Sequence, residues 1–125
     1  TPMITASFLL SLALLFSGRA IAADKVKLVV DYGDGVQKHF TQLAWKDGMT
    51  VLGATQAAQK HPRGIKIKVR SSGSTAFLTQ IDDVENEGNG KNWIFRVNGK
   101  LADRSSGIYK LDKGDTILWR FQKYE

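Results

Sequence analysis

His39 and His61 are the only histidines in this chain of 125 residues, and there is no cysteine. Nucleophilic and general acid–base catalysis need a reactive group beside an orienting partner. Neither histidine has one at motif spacing. His39 falls on the polar face of an expected strand, and His61 at the end of an expected helix, where a cation suits the dipole. There is no Gly-x-Ser-x-Gly elbow and no His-Glu-x-x-His metal helix. The absence of cysteine removes disulfides, thiolate metal sites and a cysteine nucleophile together. The expectation is a protein that is not an enzyme and holds no cofactor or metal.

Side chains suited to binding are more plentiful. Arg-Ser-Ser-Gly occurs twice, at 70–73 and 104–107. Guanidinium forks and hydroxyls suit carboxylate or phosphate groups, although loops of this composition also arise by chance. Lys66, Lys68 and Arg70 form a cationic strand face that Lys25 and Lys27 could extend. It reads either as an anion-binding surface or as an edge guarded by lysine against aggregation. Asp82, Asp83, Glu85 and Glu87 crowd one loop, but their spacing lacks the ladder of a calcium-binding loop, so a solvated acidic loop is expected. Trp93 and Trp119 sit in alternating strand patterns and pack inward. Trp45 and Tyr109 lie beside turns and could form an aromatic platform.

These residues must be positioned by short elements separated by glycine and aspartate turns. Lys25–Tyr32 alternates with Val26, Leu28, Val30 and Tyr32 on one face, the period of a half-buried strand. Gly33-Asp34-Gly35 turns it into a second strand, Val36–Leu43. Thr50 reads as the N-cap of a helix from Val51 to about Lys60, with Val51, Ala54 and Ala58 on one face. His61-Pro62 ends it. Ile65–Arg70 alternates throughout, Phe77–Ile81 is a further strand, and Asp82–Gly90 is loop. Trp93–Val97 leads into Asn98-Gly99, a strong hairpin signal. Leu111–Asp115 turns into a last strand over Thr116–Phe121. This order predicts an α+β fold, β-grasp-like, with one helix across a mixed or mostly antiparallel sheet and the last strand beside the first.

Three segments carry a resemblance. Asp47-Gly48-Met49-Thr50-Val51-Leu52, Trp93-Ile94-Phe95-Arg96-Val97-Asn98-Gly99 and Leu111–Trp119 resemble, in order, the helix start, the strand and turn, and the closing strand of the transcobalamin-like C-terminal domain family. The resemblance implies a β-grasp domain that binds a soluble ligand. In the eukaryotic cobalamin carriers this domain closes over the vitamin opposite a separate helical domain. The expected ligand-binding residues are Trp45, Arg70, Trp93, Asn98, Arg104 and Tyr109.

The beginning of the chain points to export. Ile4–Phe16 is apolar but shorter than the roughly 20 residues of a spanning helix. Ala20-Ile21-Ala22 after it suits a signal peptidase. The expected organisation is a signal peptide over 1–22 and a binding domain over 23–125, periplasmic or secreted, without a stable membrane anchor after cleavage; an uncleaved N-terminal anchor is the alternative. The chain carries 18 basic and 12 acidic residues, a net +6, and only Arg19 of these lies in the leader. That balance suits a soluble anionic small molecule or an anionic glycan, while export argues against nucleic acid. The sequence therefore reads as a non-catalytic binding module, with an assembly module that pairs a sheet edge with a protein partner as the other possibility.

Overall fold

A computed structural model describes residues 24–124; the expected signal peptide over 1–22 lies outside the described residues. Its first two strands are β1 (Lys25–Asp31) and β2 (Gln37–Ala44). The turn between them is held by Asp31 and Asp34, whose carboxylates accept the Gly33 and Val36 N–H groups. Helix α1 (Val51–Gln59) follows, and the Thr50 hydroxyl accepts the Gly53 N–H at 3.1 Å as its N-cap. Then come β3 (Ile67–Arg70), a single 3-10 turn (Gly73–Thr75), β4 (Phe77–Ile81), β5 (Val84–Glu85), β6 (Lys91–Val97), β7 (Lys100–Leu101) and β8 (Thr116–Lys123).

The strands form two sheets. The larger has the order β2-β1-β8-β6-β7 and the smaller the order β3-β4-β5. The last strand lies parallel to the first, from Lys27 opposite Thr116 to Asp31 opposite Arg120; β8 then pairs antiparallel with β6. This is the expected α+β, β-grasp arrangement. The alternation of β1, β6 and β8 supplies one continuous apolar face: Val26, Leu28 and Val30; Trp93, Phe95 and Val97; Ile117, Trp119 and Phe121 are all buried. Helix α1 lies over β1 and β2 with Val51, Ala54, Thr55 and Ala58 buried, and its small side chains permit the close approach. The Asn98-Gly99 turn joins β6 to β7 with φ of 51° and 83°, the left-handed pair that a two-residue hairpin needs.

Each tryptophan N–H has a specific partner. Trp119 Nε1 donates to Thr55 Oγ1 at 2.9 Å, and that hydroxyl donates to the Val51 carbonyl. Trp93 Nε1 donates to the Val84 carbonyl, and Trp45 Nε1 to that of Leu111. Among the described residues no buried side-chain nitrogen or oxygen lacks a partner, as a dry core requires.

The small sheet departs from the sequence expectation in two places. The strand expected from Ile65 begins at Ile67, because both backbone groups of Lys66 are spent on Asp82: its N–H donates to the carboxylate and its carbonyl accepts the Asp82 N–H. The expected acidic loop Asp82–Gly90 contains β5 and fixes the small sheet to the large one. Asp82 is the clamp at its start. Its carboxylate accepts the Tyr32 hydroxyl and, at 3.1 Å, the Lys38 ammonium, so that β1 and β2 are bound to the β4–β5 turn. The cationic stripe of β3 is not extended by Lys25 and Lys27, because β1 pairs with β2 and β8 instead.

Two outcomes test these contacts. Thr55→Val keeps the shape but orphans the Trp119 N–H, and should cost about 1–3 kcal/mol in urea denaturation, whereas Thr55→Ser should retain the bond. A valine variant as stable as the parent would remove the bond's importance. The second outcome concerns pH. Burial pulls the Asp82 carboxyl upward, but hydrogen bonds from Tyr32, Lys66 and Lys38 outweigh it and hold the carboxyl below its ordinary value. A depressed folded-state value means that the clamp contributes fully above the ordinary carboxylate range, about 4, and is lost as pH falls through the folded value. The stability gap between the parent and Asp82→Asn should therefore be present at pH 7 and close on acidification; a gap constant from pH 7 to 3 contradicts the clamp.

Candidate functional site

Where the two sheets meet, β4 and β6 run side by side but are not paired as strands. One residue bridges them. Asn86 donates its backbone N–H to the Thr79 carbonyl and its side-chain amide to the Leu78 carbonyl, while its Oδ1 accepts the Trp93 N–H at 2.8 Å. Beyond this junction β4 and β6 part, leaving a cleft of about 760 Å³, within the range of small-ligand sites. Trp93, Phe95 and Trp119 contribute to its floor, and Phe77 and Leu78 to the opposite wall. The rings of Phe95 and Trp119 lie 4.9 Å apart, and those of Trp93 and Phe121 5.3 Å, so the floor is a packed aromatic row.

The far end of the cleft is closed by the loop after β7. Its position is set by the start of α1, whose Val51 and Leu52 N–H groups donate to the carbonyls of Tyr109 and Ser106 at 2.9 Å. These backbone acceptors satisfy donors that a helix N-terminus leaves open. From this strap Ser105 Oγ donates to the Ala76 carbonyl at 2.7 Å. Gly107 packs so closely against Gly73 that a Cβ there would collide with the Gly73 carbonyl. The two Arg-Ser-Ser-Gly segments are thus seated on each other, and both arginines line the cleft.

The two guanidinium groups are held differently. Arg70 lies 5.1 Å from the centroid of the Phe77 ring, its partner across the β3–β4 ladder, and forms no ion pair among the described residues. Arg104 forms a two-point pair with Asp103 at 2.8 and 3.2 Å and lies 5.5 Å from the centroid of Tyr109. The hydrogen bonds and charge of Arg104 hold the Asp103 carboxyl below its usual range, and those of Asp103 raise Arg104. Both groups of this pair are exposed, so water screens their attraction. An arriving carboxylate or phosphate would find one guanidinium unpaired and another held by a single solvated carboxylate.

The cleft therefore gathers Arg70, Trp93 and Arg104 from the expected set. Tyr109 stands behind it, edge-on to Phe95 at 5.9 Å, and supports Arg104. Trp45 and Asn98 lie elsewhere. Trp45 is half-buried against the core with its N–H on Leu111. The Asn98 side chain donates to Asp115 and accepts the Thr116 N–H, which locks the β6–β7 turn to β8. Sequence reasoning missed Asn86 and Phe77, and marked Ser105 only as a hydroxyl of the 104–107 repeat, whereas it ties the strap to the Ala76 carbonyl. A signal existed for Phe77, since a β3–β4 hairpin sets it opposite Arg70; none existed for Asn86. His39 and His61 lie outside the cleft: His39 contacts Gln37, and His61 accepts the Arg63 N–H and stacks edge-on to Phe40. The described residues contain no group of three or more His, Cys, Asp or Glu arranged to hold a metal ion. None of their helices is long and apolar enough to cross a membrane.

Comparison with solved structures places the fold among known ones. A candidate metal-binding protein from Ruminococcus gnavus ATCC 29149 superposes with a TM-score of 0.65 at 14% identity, covering 82% of this chain and 99% of that one. Haptocorrin in complex with Cbi superposes with a TM-score of 0.63 at 21% identity, covering 83% of this chain but 26% of haptocorrin. At these identities the likeness is one of fold. No functionally curated protein matches the chain. The pattern of the family described as a domain of unknown function, DUF4430, matches residues 48–123; that stretch holds α1, every cleft-lining residue except Tyr124 and all of the three transcobalamin-like motifs except Asp47, and the chain belongs to this family.

Proposed function

We propose that this chain is an exported, non-catalytic binding module whose cleft between β4 and β6 takes a soluble ligand with an apolar body and an anionic group. The observation that carries the proposal is the meeting of Arg70 and Arg104, 34 positions apart in sequence, at one cleft floored by Trp93, Phe95 and Trp119. Exposed apolar surface on Phe77 and Leu101, beside that floor, supplies affinity through burial, and guanidinium forks supply orientation toward a carboxylate or phosphate. The absence of a catalytic role rests on the placement of both histidines away from the cleft and on Ser105, whose hydroxyl is committed to the Ala76 carbonyl. Haptocorrin, whose structure contains Cbi, makes corrinoids the first small molecules to try; tetrapyrrole carboxylates and anionic glycans share the required chemistry. Export rests on the apolar run and Ala20-Ile21-Ala22.

A thermal-shift screen of corrinoids, tetrapyrrole carboxylates and anionic glycans should find at least one probe that raises the melting temperature, since a ligand of the folded state must stabilise it. Arg70→Gln with Arg104→Gln should weaken that probe by roughly 10- to 100-fold, about 1.4–2.8 kcal/mol, and leave the melting temperature of the free protein within a degree or two. Flat responses to every class, or binding indifferent to both arginines, would end this reading.

A further inference from the structure

The cleft has one feature that an apolar ligand would leave unused. The N–H and C=O groups of Trp93 and Phe95 point away from β8, toward the cleft, as their partners show. Trp93 N–H is taken by Asn86, and Phe95 C=O accepts the Ala102 N–H at a stretched 3.3 Å. Between these two bonds the Trp93 carbonyl and the Phe95 N–H have no partner among the described residues. Strand β7 pairs only with Arg96 and Val97, and the chain peels away before Ala102 can return the bond to Phe95. Unpaired backbone groups on a strand edge are a template for another strand.

The spacing of these two groups selects the orientation of a partner. In a parallel ladder a single residue donates its N–H to the carbonyl of residue i−1 and accepts the N–H of residue i+1. With Ile94 as residue i, the open pair fits one incoming residue. An antiparallel partner would reach the same two groups with two separate residues, and each would turn a second backbone group of its own toward the occupied Trp93 N–H or Phe95 C=O, whereas the parallel residue leaves neither of its groups unpaired. The same two occupied groups limit the ladder to that single residue, so a long strand cannot continue along β6. A parallel segment runs from Trp93 toward Phe95, hence toward Ala102 and the Arg104 loop. Its carboxyl end therefore travels toward the guanidinium groups. Side chains alternate along a strand, so the residue after the paired one faces the side of the sheet that carries Trp93 and Phe95, where an apolar side chain is favoured.

We propose that the cleft binds a short peptide parallel to β6, one residue of which bonds to the Trp93 carbonyl and the Phe95 N–H, with an apolar C-terminal residue and its free carboxylate at Arg70 and Arg104. This rests on the reading of the cleft as the ligand site and names the ligand class. Main-chain bonds give such recognition its affinity, and the carboxylate sets its direction.

The test is a titration of the ¹⁵N-labelled protein with a pool of acetyl-Ala-Ala-X acids, X being Leu, Val, Phe or Met. Two control pools are used, one amidated at the C-terminus and one N-methylated at the second alanine. The Phe95 amide proton should shift downfield and exchange more slowly. Each control pool should bind roughly tenfold more weakly, the scale of one lost charge-assisted or backbone bond. Arg70→Gln with Arg104→Gln should erase the preference for acid over amide. Anilinonaphthalene sulfonate, an aromatic anion without a peptide group, is titrated in parallel. Should it bind through the arginines while the acid pool leaves Phe95 unmoved, or binds no better than its controls, the peptide proposal is overturned and the cleft reading stands. Should neither probe depend on the arginines, both fall.

Discussion

Two sheet edges brought together must either pair or find other partners for their backbone groups, and this constraint governs the site. Strands β4 and β6 approach each other without forming a ladder. Asn86 resolves the conflict at one end with three hydrogen bonds, one from its backbone and two through its amide. A primary amide suits this place because it offers a donor and an acceptor on one short side chain. An aspartate there would set a carboxylate against the Leu78 carbonyl, and a leucine would leave Trp93 N–H and the Leu78 carbonyl unpaired in a half-buried setting. Because only one end is tied in this way, the edges diverge beyond it, and the space between them is the cleft.

The rest of the molecule holds the two sheets at that separation. On the large sheet, β8 enters between β1 and β6, so the strand made last completes the centre of the core. The aromatic floor is rigid because Trp93 and Trp119 are fixed at both ring and nitrogen. On the small sheet, Asp82 binds the β4–β5 turn to Tyr32 and Lys38, and Ser105 binds the start of β4 to the strap over α1. Burial, then the hydrogen bond to Asp82, pushes the Tyr32 hydroxyl far up, so it remains a donor throughout the physiological range and the clamp does not change sign.

Much of this fold was legible because its strands obey a strict period of two. Val26, Leu28 and Val30, and Ile117, Trp119 and Phe121, announce their burial by alternation alone, and Thr50 and Asn98-Gly99 mark a helix start and a hairpin through backbone needs that few residues meet. The site was less legible because its parts are far apart in sequence. The two Arg-Ser-Ser-Gly copies are visible as a repeat, but their contact depends on Gly107 packing on Gly73, which no local pattern encodes. Asn86 sits in a run of acids and glycines that reads as solvated loop. Trp45 and Tyr109 looked alike beside their turns, yet one is drawn into the core by the Leu111 carbonyl and the other stands against Phe95 and Arg104.

The separation between scaffold and site has a physical consequence for what the cleft can recognise. Its floor belongs to the core, so Trp93, Phe95 and Trp119 cannot be altered without loss of stability; substitution of such aromatics by alanine typically costs about 3–5 kcal/mol. Its rim belongs to loops and an exposed strand end, where Arg70, Phe77 and Arg104 contribute little to folding. Specificity is therefore free to reside in the rim. The floor offers any ligand the same apolar row and the same pair of open backbone groups, whereas the rim decides which charge is admitted and from which direction. In this chain both rim arginines lie toward the Phe95 end of the cleft's open edge, and a ligand with one anionic terminus can satisfy them in only one orientation.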